Sequence, residues 1–107
     1  MKTYKVKWTT SAVFDLHQII QYISSQNPLS AKKIFQGIKI RAKNLQKNPR
    51  RGRFVPELKA HSILNYQEIF YKPWRIIYRI DEEKVFIFAV IDGRRDLEDI
   101  LLERLIH

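Results

Sequence analysis

Cysteine is absent from the 107 residues. That removes disulfide frameworks, thiolate metal sites and cysteine nucleophiles together, and it fits a cytoplasmic rather than a secreted protein. Glycine and proline are few, 3 and 4 respectively, too few for a collagen-like or low-complexity chain. Long apolar runs are missing as well. Stretches such as Val85 to Ile91 fall far short of the roughly 20 residues that a membrane-spanning helix needs. The N-terminal MKTYKVKW carries charge but no apolar segment behind it, so neither a signal peptide nor a membrane partner is expected.

Recognisable catalytic motifs are also lacking. There is no P-loop, no dinucleotide-binding glycine pattern and no HExxH. The three histidines, His17, His61 and His107, show no metal-ligand spacing, so no metal and no cofactor are expected. His17 falls on the surface or boundary of an amphipathic helix, His61 falls in a loop and His107 ends the chain. No Ser-His-Asp set can be assembled from the spacing.

What the chain does have is positive charge, unevenly placed. Lys and Arg number 20 against 11 Asp and Glu, a net +9. Residues 1–60 hold 13 basic groups against 2 acidic ones, Asp15 and Glu57, a balance of +11. Residues 61–107 hold 7 against 9, a balance of −2. A basic half of this kind suits an anionic partner, whether nucleic acid, an acidic protein segment or a membrane surface, although a lysine-rich solvated face would look the same. With 45% hydrophobic and 29% charged residues, the composition is that of one ordinary globular domain spanning residues 1–107.

The hydrophobic pattern changes period along the chain. Tyr4 to Trp8 alternates apolar and basic, as a short strand does. Thr9, Thr10 and Ser11 offer N-cap oxygens. Val13, Leu16, Ile20 and Ile23 then form a helical stripe, with Asp15 in its first turn, where it would meet the helix dipole. Asn27-Pro28 reads as a new cap with proline at N1. A second helix follows to about Asn48, with Ala31, Ile34, Phe35, Ile38, Ala42 and Leu45 on its apolar side and Lys32, Lys39, Lys43 and Lys47 largely opposite. The short connection makes the two helices an antiparallel hairpin. Gly52 to Ser62 reads as a polar connector. Three strands follow, Tyr66 to Tyr71, Trp74 to Ile80 and Lys84 to Ile91, with turns at Lys72-Pro73 and Asp81 to Glu83. The last two are apolar on both faces, so both faces of the sheet are expected to be covered. Asp96, with Asp99 three residues on, starts a final helix whose apolar side is Leu97, Ile100, Leu101 and Leu105. The order β-α-α-β-β-β-α gives an α+β class: N-terminal strand, antiparallel helical hairpin, three-stranded antiparallel meander and C-terminal helix. Periodicity does not say where the first strand joins the sheet.

Candidate site chemistry reduces to arginine on a sheet. Trp74, Ile76, Tyr78 and Ile80 point to one face, and Arg75, Ile77 and Arg79 to the other. Arg94 and Arg95 arrive where the next strand ends. Guanidinium groups suit phosphate or carboxylate and stay charged in any setting. Arg75 between apolar neighbours demands a partner, because a buried charge is costly unless paired. Asp92, Asp96 and Glu98 are the carboxylates nearest the same end of the sheet. Bases could stack on an exposed aromatic such as Tyr66, Phe70 or Tyr71, but most of these rings belong in a core.

Taken in order, Asn27-Pro28, Asn48-Pro49-Arg50-Arg51-Gly52-Arg53-Phe54-Val55-Pro56-Glu57-Leu58, Tyr66-Gln67-Glu68-Ile69, Trp74 to Ile80 and Gly93-Arg94-Arg95-Asp96-Leu97 resemble the RelE/ParE superfamily of toxins from type II toxin–antitoxin operons, the plasmid stabilization or addiction systems. The resemblance covers essentially the whole chain and implies that family's small α+β fold. It also implies a cognate antitoxin, which wraps the toxin with an acidic or amphipathic segment and contacts operator DNA itself, so that the toxin meets DNA only through it. RelE-like members are ribosome-dependent mRNA endoribonucleases. ParE-like members poison DNA gyrase. Arg75 and Arg95 match the arginines of the RelE pattern, but Leu101 stands where that pattern has a tyrosine. Arginine is a poor proton donor near neutral pH, so those two would leave acid–base work unassigned, with Tyr66, Tyr78, His61 and Glu57 as the available substitutes. The segment from Gly93 to Leu101 looks ParE-like. The resemblance thus implies a gyrase-binding inhibitor rather than an enzyme, with the ribosome and mRNA as the alternative target. Arg75, Arg79, Arg94 and Arg95 are the candidate target contacts, and Lys32, Lys39, Lys43 and Lys47 form a basic face for antitoxin or target.

Overall fold

In the computed structural model, residues 3–106 are described; His107 lies outside them. β1 (Lys5–Trp8) leads into α1 (Thr10–Ser24), capped by the Thr9 hydroxyl, which accepts the Ala12 N–H at 3.2 Å. Asp15 therefore sits past the first turn of α1, and it does something other than meet the dipole. Its carboxylate accepts the Val90 N–H at 3.0 Å and binds Arg104 at 2.8 Å. α2 (Pro28–Lys43) is capped by the Asn27 side chain on the Ser30 N–H, with Pro28 at N1, as the sequence predicts.

α2 ends at Lys43, five residues short of the predicted end. Two 3-10 turns, Asn44–Gln46 and Pro49–Arg51, follow it. The predicted connector is partly ordered. It holds a two-residue strand β2 (Arg53–Phe54) and a single helical turn α3 (Pro56–Lys59), both too short for periodicity to reveal. β3 (Gln67–Tyr71), β4 (Trp74–Asp81), β5 (Lys84–Asp92) and α4 (Leu97–Ile106) complete the chain, with Glu98 and Asp99 in the first turn of α4.

The strands form one five-stranded sheet in the order β1-β5-β4-β3-β2. The three late strands are antiparallel neighbours, as expected. β1 joins the far edge parallel to β5, with Val6 beside Val85; the helical hairpin carries the chain from β1 at that edge across the sheet to β2 at the other. Pairing of Ile77 with Ala89 but Tyr78 with Ile87 leaves Phe88 as an extra residue in β5, a β-bulge. The bulge shifts the alternation by one. Val85, Ile87 and Val90 pack toward α1 and α2, whereas Ala89 and Ile91 pack toward α3 and α4. Past the end of β1, the exposed edge of β5 is covered by side chains: Asp15 on the Val90 N–H, and Arg104 Nη1 on the Phe88 carbonyl at 3.3 Å.

Two apolar layers result, one on each face of the sheet. Ala12, Leu16, Ile38, Ala42 and Leu45 cover Ile69, Ile76, Tyr78 and Ile87 on one side. Val55, Leu58, Leu97 and Leu101 cover Ile77, Ala89 and Ile91 on the other. Among the described residues no helix is long and apolar enough to cross a membrane.

Candidate functional site

Arg75 is only 7% exposed on the α4 face of β4, and Glu68 on β3 only 1%. The two-residue turn at Lys72-Pro73 sets Phe70 opposite Arg75 and Glu68 opposite Ile77, so Glu68 and Arg75 are diagonal neighbours on one face. Arg75 Nε donates to Glu68 Oε1 at 2.6 Å, and its two terminal nitrogens donate to the Glu57 carboxylate at 2.7 Å each. Glu68 spends its other oxygen on Arg53 Nε at 2.7 Å. The result is a four-membered chain of alternating charge, Arg53–Glu68–Arg75–Glu57, that ties β2, β3, β4 and α3 together.

Burial alone disfavours the Arg75 charge, but the hydrogen bonds and charges of Glu57 and Glu68 outweigh it and raise its pKa. The Arg75 hydrogen bonds hold the Glu57 carboxyl below its ordinary range. The partners expected from sequence, Asp92, Asp96 and Glu98, are engaged elsewhere or apart. Asp92 binds Arg94, with Nη2 to Oδ2 at 2.6 Å and Nε to Oδ1 at 2.9 Å, which lowers the Asp92 pKa to about 2. Glu98 takes His61 at 2.7 Å, and Asp96 is exposed. A buried guanidinium takes the carboxylates that tertiary packing brings to it, and here those came from α3 and β3.

The four arginines do not form one cluster. Gly93 packs on the Arg75 stem; a Cβ there would lie 3.3 Å from Arg75 Cδ and 3.1 Å from the Pro73 carbonyl. That close approach sets the Gly93-Arg94-Arg95 turn beside Arg75. Arg95 is exposed and has no side-chain partner among the described residues. Arg79 sits four residues along the strand, about 13 Å away, over the Phe86 ring and 3.9 Å from Asp81. Lys32, Lys39, Lys43 and Lys47 are all exposed and lie across the sheet on the hairpin side. Lys39 stands 4.8 Å over the Trp8 ring.

Three of the four candidate proton-transfer groups, Tyr78, Glu57 and His61, hold side-chain hydrogen bonds. Tyr78 is fully buried. Its hydroxyl donates to the Pro49 carbonyl at 2.6 Å and accepts the Gly52 N–H at 3.0 Å, and burial pushes its pKa up. Tyr66 is buried and packs on Phe88, with ring centroids 4.9 Å apart. Glu57 is held by Arg75 and His61 by Glu98. Leu101 is completely buried on the inner face of α4, so the position matched to the tyrosine of the RelE pattern is core here.

One feature lies outside any sequence expectation. Trp8, Val13, Leu16, Ile20 and Phe35 line an apolar groove of about 240 Å³ between the helices and β1, with His17 and Lys39 at its rim. Val13 and Phe35 stay half-exposed along it. The amphipathic stripe of α1 signals a buried face; the residual opening depends on how α2 crosses it, and no spacing rule gives that.

A helical hairpin and a short C-terminal helix on opposite faces of this sheet define the small α+β toxin class of the RelE/ParE superfamily. The family model described as the ParE toxin of type II toxin-antitoxin system, parDE, matches residues 6–97, and the chain belongs to that family. Two solved structures share the fold. One is described as the chromosomal ParDE TA system from P. aeruginosa: 22% identity, TM-score 0.68, covering 84% of this chain and 96% of that one. The other is the toxin–antitoxin complex RelBE2 from Mycobacterium tuberculosis: 26% identity, TM-score 0.62, covering 86% and 93%. Among curated proteins no sequence matches the chain.

Proposed function

We propose that this toxin arrests growth by binding DNA gyrase, without chemistry of its own, and is neutralised by a cognate antitoxin. The observation that carries the reading is the Arg75 network. RNA cleavage through the 2′-hydroxyl needs one group to take a proton and one to give it, and a free cation to stabilise the developing charge. Arg75 has three of its N–H groups on internal carboxylates, and the four candidate acid–base side chains are each hydrogen-bonded or buried. What the α4 side offers outward is Arg94 and Arg95 on the turn that Gly93 seats against Arg75. In this reading Arg94 and Arg95 are the target contacts, Arg75 positions their turn, and Arg79 contributes separately at the other end of the strand.

The antitoxin fits the opposite side. An amphipathic segment would place apolar side chains in the Trp8–Phe35 groove and carboxylates toward Lys39 and Lys43, with Lys32 and Lys47 extending the attraction. Lys39 and Lys43 also flank a shallower recess with Val6, Trp8 and Ile40.

Expression of the chain without antitoxin tests the reading when purified gyrase is assayed for supercoiling alongside primer extension on ribosome-bound message. Loss of supercoiling with intact message is expected. Codon-specific breaks in message with unaffected supercoiling would replace this reading with the endoribonuclease one.

A further inference from the structure

Residues 16–56 contain nine Lys and Arg and no Asp or Glu. The two carboxylates that border this stretch are consumed by arginines from the other half of the chain: Asp15 by Arg104 and Glu57 by Arg75. The density is highest from Arg41 to Arg53, where Arg41, Lys43, Lys47, Arg50, Arg51 and Arg53 are all exposed. Among the described residues Arg53 alone of these six has a carboxylate partner, Glu68. A solvated lysine face usually carries interspersed acids; here the carboxylate that reaches the band is Glu68, buried and shared between Arg53 and Arg75.

The band is also held in place. The fully buried Tyr78 hydroxyl grips both ends of the Pro49–Arg51 turn, through the Pro49 carbonyl and the Gly52 N–H. Gln67 Nε2 donates to the Gly52 carbonyl at 2.8 Å. Gly52 lies so close to β3 that a Cβ would fall 2.5 Å from the Glu68 carbonyl. Arg50 and Arg51 therefore ride on a fixed turn, which lowers the ordering cost of binding. Arg41, Arg51 and Arg53 line one open groove of about 320 Å³, and each guanidinium has five N–H donors, most of them unspent here.

We propose that the toxin itself binds duplex DNA through the phosphate backbone, on the basic band from Arg41 to Arg53. This goes beyond the gyrase and antitoxin reading and departs from the expectation that DNA is met only through the antitoxin. Two observations favour a duplex over other anions. The exposed large apolar side chains that border the band are single residues at its two ends, Ile40 and Phe54, not the clustered apolar anchor on which protein partners rely. Of the nearby rings, Tyr71 is faced by Arg41 at 5.5 Å and Phe70 by Arg53 at 5.1 Å, which leaves Phe54 as a single exposed ring, too little for successive unpaired bases to stack on. What remains is a set of cations suited to phosphates, with no sequence preference.

The test is fluorescence anisotropy of a labelled 20-base-pair duplex with the purified full chain, from low to physiological salt. Wild type should bind more weakly as salt rises. The double variant Arg50→Glu/Arg51→Glu should bind about tenfold or more weaker at low salt. Its log–log salt slope should be shallower by roughly 2, about 0.9 for each phosphate that is no longer neutralised. Lys5→Glu/Lys7→Glu, the same change in charge on exposed β1 positions, should change affinity less than about threefold. Thermal melts establish that each variant is folded, and Arg50→Gln/Arg51→Gln replaces the reversal if it is not. The proposal is overturned if wild type leaves the duplex free at low salt, if the β1 pair loses as much affinity as the Arg50/Arg51 pair, or if a single strand of equal length binds more tightly than the duplex.

Discussion

Replacing Arg75 with methionine should expose how the charged network works. Methionine keeps much of the side-chain volume but leaves Glu68, 1% exposed, with Arg53 as its one ionic partner, and Arg53 is more than half exposed itself. Glu57 is 28% exposed on its side chain and would turn to water at little cost. The loss therefore concentrates on one under-compensated buried carboxylate, for which breaking a buried pair costs about 3–5 kcal/mol. For a chain of this size that is roughly 12–20 °C in melting temperature, a large part of a typical total stability. Glu68→Leu alone should cost a similar amount, because Arg75 keeps Glu57 but loses its Nε acceptor in an apolar setting. The double variant Arg75→Met/Glu68→Leu removes both buried charges and should lie within about 1–2 kcal/mol of wild type, since an apolar pair often replaces a buried ion pair without loss. Urea unfolding of the four proteins at neutral pH gives the coupling energy, with several kcal/mol of rescue expected. If the single changes are mild, or if the double variant is as unstable as the two losses added together, the network does not hold Arg75 as described.

Tyr78→Phe leaves the Pro49 carbonyl and the Gly52 N–H without their shared partner and should cost about 2 kcal/mol, or roughly 8 °C or more in thermal melts; an unchanged melt would mean that the turn does not depend on the hydroxyl. Gly37→Ala should destabilise by about 1–3 kcal/mol despite alanine's helix preference, because its Cβ would fall 2.3 Å from the Tyr71 ring; adding Tyr71→Ala should remove that clash in the same calorimetric assay. Acid stability follows from Glu57 and Asp92, whose folded pKa values are lowered from 4.5 and from 3.8 respectively, the latter to about 2. Their contribution is complete above the unfolded values and is lost as pH falls through the folded ones. Melting temperature should therefore hold steady down to about pH 5 and fall below it, less steeply in Glu57→Gln, and a variant that follows the wild-type curve would contradict the assignment.

Much of this was legible in the sequence because it is local. Asn27-Pro28, the stripe of α1, the three late strands and the final helix each rest on spacing within one element. Even the Glu68–Arg75 neighbourhood was within reach, since a two-residue turn at Lys72-Pro73 fixes the register and puts those side chains on one face. Glu57 was not, because eighteen residues and an irregular connector separate it from Arg75. The parallel seat of β1 depends on how the helical hairpin crosses the sheet, which periodicity does not encode. The Phe88 bulge defeats a strict two-residue alternation, so the inward side of the second half of β5 could not be read from its uniformly apolar residues. The four arginines appeared together in sequence terms because strand ends are close in number. In space, the two-layer fold sends Arg75 inward, leaves Arg94 and Arg95 on a turn and keeps Arg79 at the opposite end.

The central claim is that this toxin works by occupying its target and not by turning over a substrate. A titration of purified gyrase with the purified chain, read as supercoiling activity against molar ratio, tests it most directly. Inhibition that rises with the ratio, saturates near equivalence and is reversed by stoichiometric antitoxin is the predicted result. Unimpaired supercoiling at a large excess of the chain, together with RNA fragments produced at substoichiometric amounts of it, would contradict the account.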